Sequence, residues 1–282
     1  MTFLNISDTA LWIAAYRSLE SARPDALFQD KLAEKLAGSR GLQMVNESWL
    51  PRQMTWSLAV RTRLIDQMIE YEIQENGVNC VVNLACGLDT RPYRLDSLNS
   101  SIRWVEVDLP EMMEYKSSML HEHEAKCILH RVTADLSNAD ERKRVLEQAL
   151  LKVERALVIT EGFLCYVPTD AVATLASELR EYPAVKGWAT DLFSSELLEI
   201  SKKTWASDLA YAKAGLYFGP KEGTGFFESR GWRTDRNFSL LEESEKLGRD
   251  FPLSFLGRPL LSVLPKRVNH LLNDAYRLVL LR

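Results

Sequence analysis

The sequence predicts an α/β fold with a mostly parallel seven-stranded sheet and helices on both faces. Two observations carry this. Short runs of strand character alternate with segments of helical character, the pattern of parallel strands joined by helical crossovers. The runs are also almost continuously apolar, as strands covered on both faces must be.

Residues 8–37 read as two helices. Asp8 and Thr9 offer an N-cap, and Leu11, Ala15 and Leu19 recur at helical spacing. Pro24 restarts the pattern and Gly38 stops it. A third helix over 52–75 carries Leu58, Ile65, Met68 and Ile69 on one side, and Gly77 ends it. Strands follow at 80–84, 102–107, 127–132, 156–160 and 187–192, with helices at 110–121, 139–152 and 169–181 between them. Residues 195–216 look helical and amphipathic, and 219–225 are rich in glycine. An insertion this late in an α/β domain suits a lid. Its Trp205, Tyr211, Tyr217 and Phe218 suit an apolar or aromatic ligand, and Lys213 or Lys221 an acidic one; alternatively these aromatics pack the insertion onto the sheet. Residues 233–238 form a sixth strand and 276–281 a last one. The expected organisation is one domain: a helical N-terminal extension over 1–76, an α/β core over 77–192, the lid over 193–230, and the rest of the sheet over 231–282.

With 46% hydrophobic and 26% charged residues, the 282-residue chain has a globular composition. Its net charge of −4 gives little attraction for a polyphosphate, so no nucleic acid is expected. No apolar run approaches the ~20 residues that span a bilayer, and the first residues lack a basic and apolar leader. The expected compartment is the cytoplasm. Cys80, Cys86, Cys127 and Cys165 form no C-x-x-C pair, so they read as small core residues, with Cys86 and Cys165 the candidates for a reactive thiol. No metal site is expected. His121 and His123 are two apart, a spacing that does not share a helix face. No G-x-S-x-G elbow suggests a hydrolase.

Ligands of open α/β sheets bind beyond the carboxyl ends of the strands. After the first strand comes Asn83-Leu84-Ala85-Cys86-Gly87-Leu88-Asp89-Thr90-Arg91. Small Ala85 and Gly87 allow a ligand close to the backbone. One glycine is too few for the dinucleotide fingerprint, and the Asp89 carboxylate would repel a pyrophosphate. A sulfonium nucleoside tolerates it. The second strand ends in Glu106-Val107-Asp108, and Asp108 follows Gly87 by 21 residues, near the ~20 of a ribose-binding acid. Either acid could serve, with Asp108 nearer the ligand; alternatively Asp108 caps the helix starting at Pro110. Asp135 ends the third strand, where it accepts from an adenine amino group while the Leu136 amide donates to a ring nitrogen; it is equally a turn residue. Glu161 directly follows the fourth strand, where a buried carboxylate needs a cationic partner.

VVNLACGLDTRPYRL (81–95), WVEVDLP (104–110), Thr133-Ala134-Asp135-Leu136 and ITEGFLCYVP (159–168) together resemble the leucine carboxyl methyltransferase family. So do Ala59-Val60-Arg61-Thr62-Arg63 and the segment from Thr9 to Asp25. The resemblance implies a Rossmann-like class I methyltransferase fold and S-adenosylmethionine as cofactor. It implies that Arg61 binds the methionine carboxylate and Ala85 lies against the ligand. Asp108 then holds the ribose, Asp135 and Leu136 read the adenine, and Glu161 sits near the methionine amino group. Ala85 replaces the first glycine of the motif. The expected function is methyl transfer to a carboxylate or hydroxyl oxygen, of a small molecule such as a polyketide-type metabolite. A protein C-terminal carboxylate is an alternative acceptor. A nucleotide-cofactor oxidoreductase and a non-catalytic ligand-binding protein are alternatives of other classes. No catalytic residue is assigned, and Tyr166 or a lid residue could assist.

Overall fold

The computed structural model describes residues 6–47, 49–204, 215–249 and 266–282. Helices α1 (Ile6–Ser21), α2 (Ala33–Glu47) and α3 (Trp49–Gln74) precede the sheet. The strands are β1 (Cys80–Leu84), β2 (Arg103–Asp108), β3 (Ile128–Thr133), β4 (Ala156–Thr160), β5 (Val185–Phe193), β6 (Thr234–Ser239) and β7 (Tyr276–Leu281). Helices α4 (Arg91–Arg94), α5 (Pro110–Leu120), α6 (Ala139–Ala149) and α7 (Thr169–Glu181) connect the first five strands. Helix α8 (Ser195–Thr204) follows β5.

The seven strands lie in the order β3-β2-β1-β4-β5-β7-β6. β1 to β5 are parallel, and β7 is antiparallel to both of its neighbours. The chain moves outward from β1 to β3 and then returns to lay β4 on the other side of β1. Crossovers therefore leave β1 and β4 in opposite directions, which opens a crevice at their carboxyl ends.

Strand alternation sends Val81 and Val82 to opposite faces. On one face Val81, Trp104, Leu157 and Ile159 pack against Val60, Leu64, Ile65 and Met68 of α3. On the other, Val82, Val105, Val158 and Trp188 meet Val145 and Leu146 of α6 and Val172 and Leu175 of α7. Two cores on one sheet explain the runs of consecutive apolar residues. The N-terminal helices add a third cluster, in which Ala14, Ala15 and Leu36 cover Cys86, Leu88 and Met113 at the crevice end.

Three local expectations change. Gly38 kinks α2, with φ 58° and ψ −175°, instead of ending it. Asp8 lies inside the first turn of α1 and accepts two bonds from Arg40 of α2, at 2.7 and 2.6 Å. The third concerns the glycine-rich segment. Phe218, Phe226 and Phe227 are buried and pack edge-on against one another, and Phe227 stands edge-on to Trp188 at 5.2 Å. A β-carbon on Gly219 would come within 2.9 Å of the Ser194 carbonyl oxygen. Phe218 is thus a core residue and does not line a ligand site. Tyr217 is 53% exposed, with its amide donating to the Cys165 carbonyl at 2.8 Å. Trp205, Tyr211 and Lys213 lie outside the described residues. Phe227→Ala is expected to cost about 3–5 kcal/mol in denaturant unfolding, as for a large core aromatic. A loss below about 1 kcal/mol would place this segment off the core.

Candidate active site

A cleft of ≈ 500 Å³ occupies the crevice, within the usual range for small-molecule sites. Its walls come from the loops after β1 to β4 and from α3 and α7. Thr9, Ala10 and Ile13 of α1 also line it. The structure brings Arg61, Ala85, Gly87, Asp89, Asp108, Asp135, Leu136 and Glu161 to this one cleft. Among the described residues, none beyond Leu175 lines it.

The turn after β1 is tight because Ala85 and Gly87 both adopt positive φ, 54° and 48°. This is the left-handed region, which costs a residue with a β-carbon roughly 1–2 kcal/mol. The departure from glycine at Ala85 therefore leaves the turn intact and shows as strain. Ala85→Gly is expected to raise unfolding stability by roughly 0.5–1 kcal/mol; a fall of that size would show that the turn is unstrained.

Asp108 sits at the end of β2. Its Oδ2 accepts from the Gly87 amide at 2.7 Å and its Oδ1 from the Leu109 amide at 2.8 Å. Leu109, not Asp108, occupies the cap position of α5, so the acid serves to join the two strand-end loops. Burial pushes its carboxyl up in spite of these bonds. No cation pairs with it directly among the described residues, and each oxygen can accept again. A vicinal diol supplies two neutral donors for such a group. Glu106 is not available for this task. It is fully buried, with Lys116 at 2.6 Å and Arg131 at 3.0 Å.

Arg91 is the hub of the site, and it was not singled out from the sequence. Its Nε donates to Asp66 Oδ1 at 2.6 Å, and its Nη1 to Asp89 Oδ2 at 2.9 Å and Glu161 Oε2 at 2.7 Å. Glu161 Oε1 accepts from Arg61 Nε at 2.9 Å. Burial pushes the Glu161 carboxyl up, but the Arg91 and Arg61 guanidinium groups outweigh it and hold it below its ordinary value. Asp89 is likewise held well below, because Arg91 and Lys116 overcome its burial. Asp89 is thus largely neutralised from behind, and its repulsion of a pyrophosphate is weaker than its bare charge suggests. Arg61 and Glu161 stand side by side in the wall. Together they present a cation and an anion to the cleft, the complement of an amino-acid zwitterion.

At the far end, Asp135 takes the turn role read from the sequence and leaves one carboxylate oxygen toward the cleft. Its Oδ1 accepts from the Ser137 amide at 2.9 Å in a turn. Its Oδ2 and the Leu136 amide have no partner among the described residues. Asn138 caps α6 in its place. Ala134, Phe163 and Leu175 supply an apolar wall beside them. These unpartnered groups and the Asp108 carboxylate match the donors and acceptors of an adenosine with an amino-acid tail, the shape of S-adenosylmethionine. Arg17 of α1 also reaches the cleft, braced by Asp30 at 2.8 Å and the Leu88 carbonyl at 2.6 Å.

The cysteines keep their reading as small packed residues. Burial pushes both Cys86 and Cys165 well up, which disfavours the reactive thiolate. No group of three His, Cys, Asp or Glu residues poised for a metal occurs among the described residues. Nor is any described helix long and apolar enough to cross a membrane.

Comparison with known proteins agrees with the geometry. The family model for leucine carboxyl methyltransferase matches residues 10–180. A predicted S-adenosyl-L-methionine-dependent methyltransferase of Streptomyces coelicolor is 32% identical over 185 residues. That match spans 62% of this chain and 65% of the relative, just under two thirds of its length. A second, from Streptomyces avermitilis, is 28% identical and covers 86% of this chain and 87% of its own. A solved structure of a DUF574 family protein from Streptomyces avermitilis superposes with a TM-score of 0.57 over 96% of both chains at 13% identity. A predicted methyltransferase from Thermobifida fusca gives 0.56 at 15% identity, over 96% of this chain and 93% of that one. At such identities the structures speak for the fold alone. The family match covers more than half of the chain and includes every predicted cleft residue, from Arg61 to Glu161. The chain belongs to the leucine carboxyl methyltransferase family, whose members take the methyl group from S-adenosylmethionine.

Proposed function

We propose that this S-adenosylmethionine-dependent methyltransferase transfers the methyl group to an oxygen of a small molecule, with a carboxylate favoured over a hydroxyl. The lining carries the preference: among the described residues it offers no histidine as a base, and its one phenol is that of Tyr166. Burial pushes this phenol well above the ordinary range, so at neutral pH it keeps its proton. It can donate a hydrogen bond to an acceptor oxygen, but it cannot take a proton from one. A carboxylic acid, with reference pKa near 4, arrives already ionised and needs no base. The chain then contributes positioning and exclusion of water. S-adenosylmethionine supplies the activated methyl. Asp108 is proposed to hold its ribose, Asp135 and Leu136 its adenine, Arg61 its carboxylate and Glu161 its amino group. Ala85, Gly87 and Asp89 form the adjoining turn.

The test is transfer of labelled methyl to aliphatic and aromatic carboxylic acids, matched phenols and a peptide ending in leucine. The expected product is an alkali-labile small-molecule ester. An alkali-stable ether would assign a hydroxyl acceptor, and labelling of the peptide alone a protein one. Two arginines of α3 provide a second test. Arg61 is buried and lines the cleft, whereas Arg63 is half-buried and does not. Lysine cannot reproduce the two parallel bonds of a guanidinium to a carboxylate. Arg61→Lys is expected to weaken cofactor binding about tenfold or more, about 1.4 kcal/mol, and Arg63→Lys less than twofold. The reverse order would shift the assignment on this helix by two residues.

A further inference from the structure

Arg61 is braced by two groups that do not line the cleft. Tyr276, the first residue of β7, accepts from Arg61 Nη1 at 2.7 Å through its hydroxyl. That hydroxyl donates to Asp191 Oδ2 of β5 at 2.7 Å, and Arg61 Nη1 also reaches this oxygen at 3.4 Å. Asp191 Oδ1 accepts from the Gly162 amide at 2.7 Å. The same acid therefore ties the loop that carries Glu161. Pairing of β5 with β7 sets Tyr276 opposite Phe193, and the two rings stack edge-on at 4.8 Å. The Tyr276 ring has little freedom as a result.

The consequence for Arg61 is geometric. Its Nε is committed to Glu161 and its Nη1 to Tyr276 and Asp191. Two fixed edges define the plane of a guanidinium. Its Nη2 has no partner among the described residues. We infer that Asp191 and Tyr276 are a positioning pair, which holds the Arg61 guanidinium so that its remaining donors meet the carboxylate of the bound nucleoside's amino-acid tail. This rests on the cofactor reading above. Burial keeps the Tyr276 phenol protonated, so the relay runs in one direction, from Arg61 through the hydroxyl to Asp191. Asp191 and Tyr276 act through Arg61 and touch no ligand themselves.

Two ligands separate this role from a general structural one. S-adenosylhomocysteine carries the amino-acid tail, and 5′-methylthioadenosine lacks it. Calorimetric titration of both into the wild type, Tyr276→Phe and Asp191→Asn is the experiment. Tyr276→Phe is expected to weaken S-adenosylhomocysteine about tenfold and 5′-methylthioadenosine less than twofold. In turnover, KM for S-adenosylmethionine should rise by a similar factor while kcat stays within about twofold. Asp191→Asn should give the same ligand-selective pattern. Equal weakening of both ligands would overturn the inference in favour of a structural role, and so would unchanged affinity for S-adenosylhomocysteine. If the wild type bound neither ligand, the cofactor reading itself would fall, and the pair's role with it.

Discussion

Arg91→Leu is expected to destabilise the fold by about 3–5 kcal/mol, the cost of removing one partner from a buried ion network. Arg91 is 2% exposed and serves three carboxylates, those of Asp66, Asp89 and Glu161. Leucine fills part of the space but leaves the acids facing one another. Arg94, on two bonds to Asp66 at 2.6 and 2.8 Å, compensates only one of them. Arg61 compensates only Glu161. Urea unfolding near pH 7 measures the loss, and a change below about 1 kcal/mol would show that the network is dispensable.

The pH dependence has a definite sign. Asp89 and Glu161 are held below their ordinary values in the fold. Their contribution is therefore fully present above the unfolded carboxylate values near 4, and is lost as pH falls through the lower folded values. Without Arg91 the strongest lowering influence on both groups is gone, and both rise. The variant should therefore lose less stability than the wild type as pH falls below about 4.

The second large effect belongs to Asp108. Asp108→Ala is expected to reduce affinity for S-adenosylhomocysteine by about 1.5–3 kcal/mol, roughly 10–150-fold, from lost bonds to an ionised acceptor. The two backbone donors at Gly87 and Leu109 lose their partner as well, so some of the effect reaches the ligand through the turn. Glu106→Gln is the matching control. Its carboxylate faces Lys116 and Arg131 and does not line the cleft, so it should lower stability and leave affinity nearly unchanged. Wild-type affinity in Asp108→Ala would reduce this acid to a link between loops.

The inner strands were legible because they are covered on both faces, and each was placed within a residue or two of its observed bounds. β3, at one edge and without a fully buried residue, was placed as closely through its Ile-Leu and Val positions. β6 is an edge strand, Thr-Asp-Arg-Asn-Phe-Ser, with alternating burial and a correspondingly weak signal. Most of the cleft residues were legible because they end a strand or lie in the loop after one, whereas Arg61, on α3, was legible only through the family resemblance. What supports them was not. Arg91 is 25 residues from Asp66 and 70 from Glu161, and Arg61 is 215 from Tyr276. A sequence displays a charge without its partner, and only strand order brings these groups together. The glycine-rich segment reads two ways for a related reason. Glycines at 219, 223 and 225 suggest freedom, but Phe218, Phe226 and Phe227 between and beside them anchor the chain in the core.

Calorimetric titration of the wild-type protein with S-adenosylhomocysteine and with NAD tests the central claim most directly. The cleft, with the Asp108 carboxylate proposed to hold a ribose and its Arg61–Glu161 pair, predicts one site of micromolar affinity for S-adenosylhomocysteine and no measurable heat with NAD. Binding of NAD at equal or greater strength, or no binding of S-adenosylhomocysteine, would contradict it.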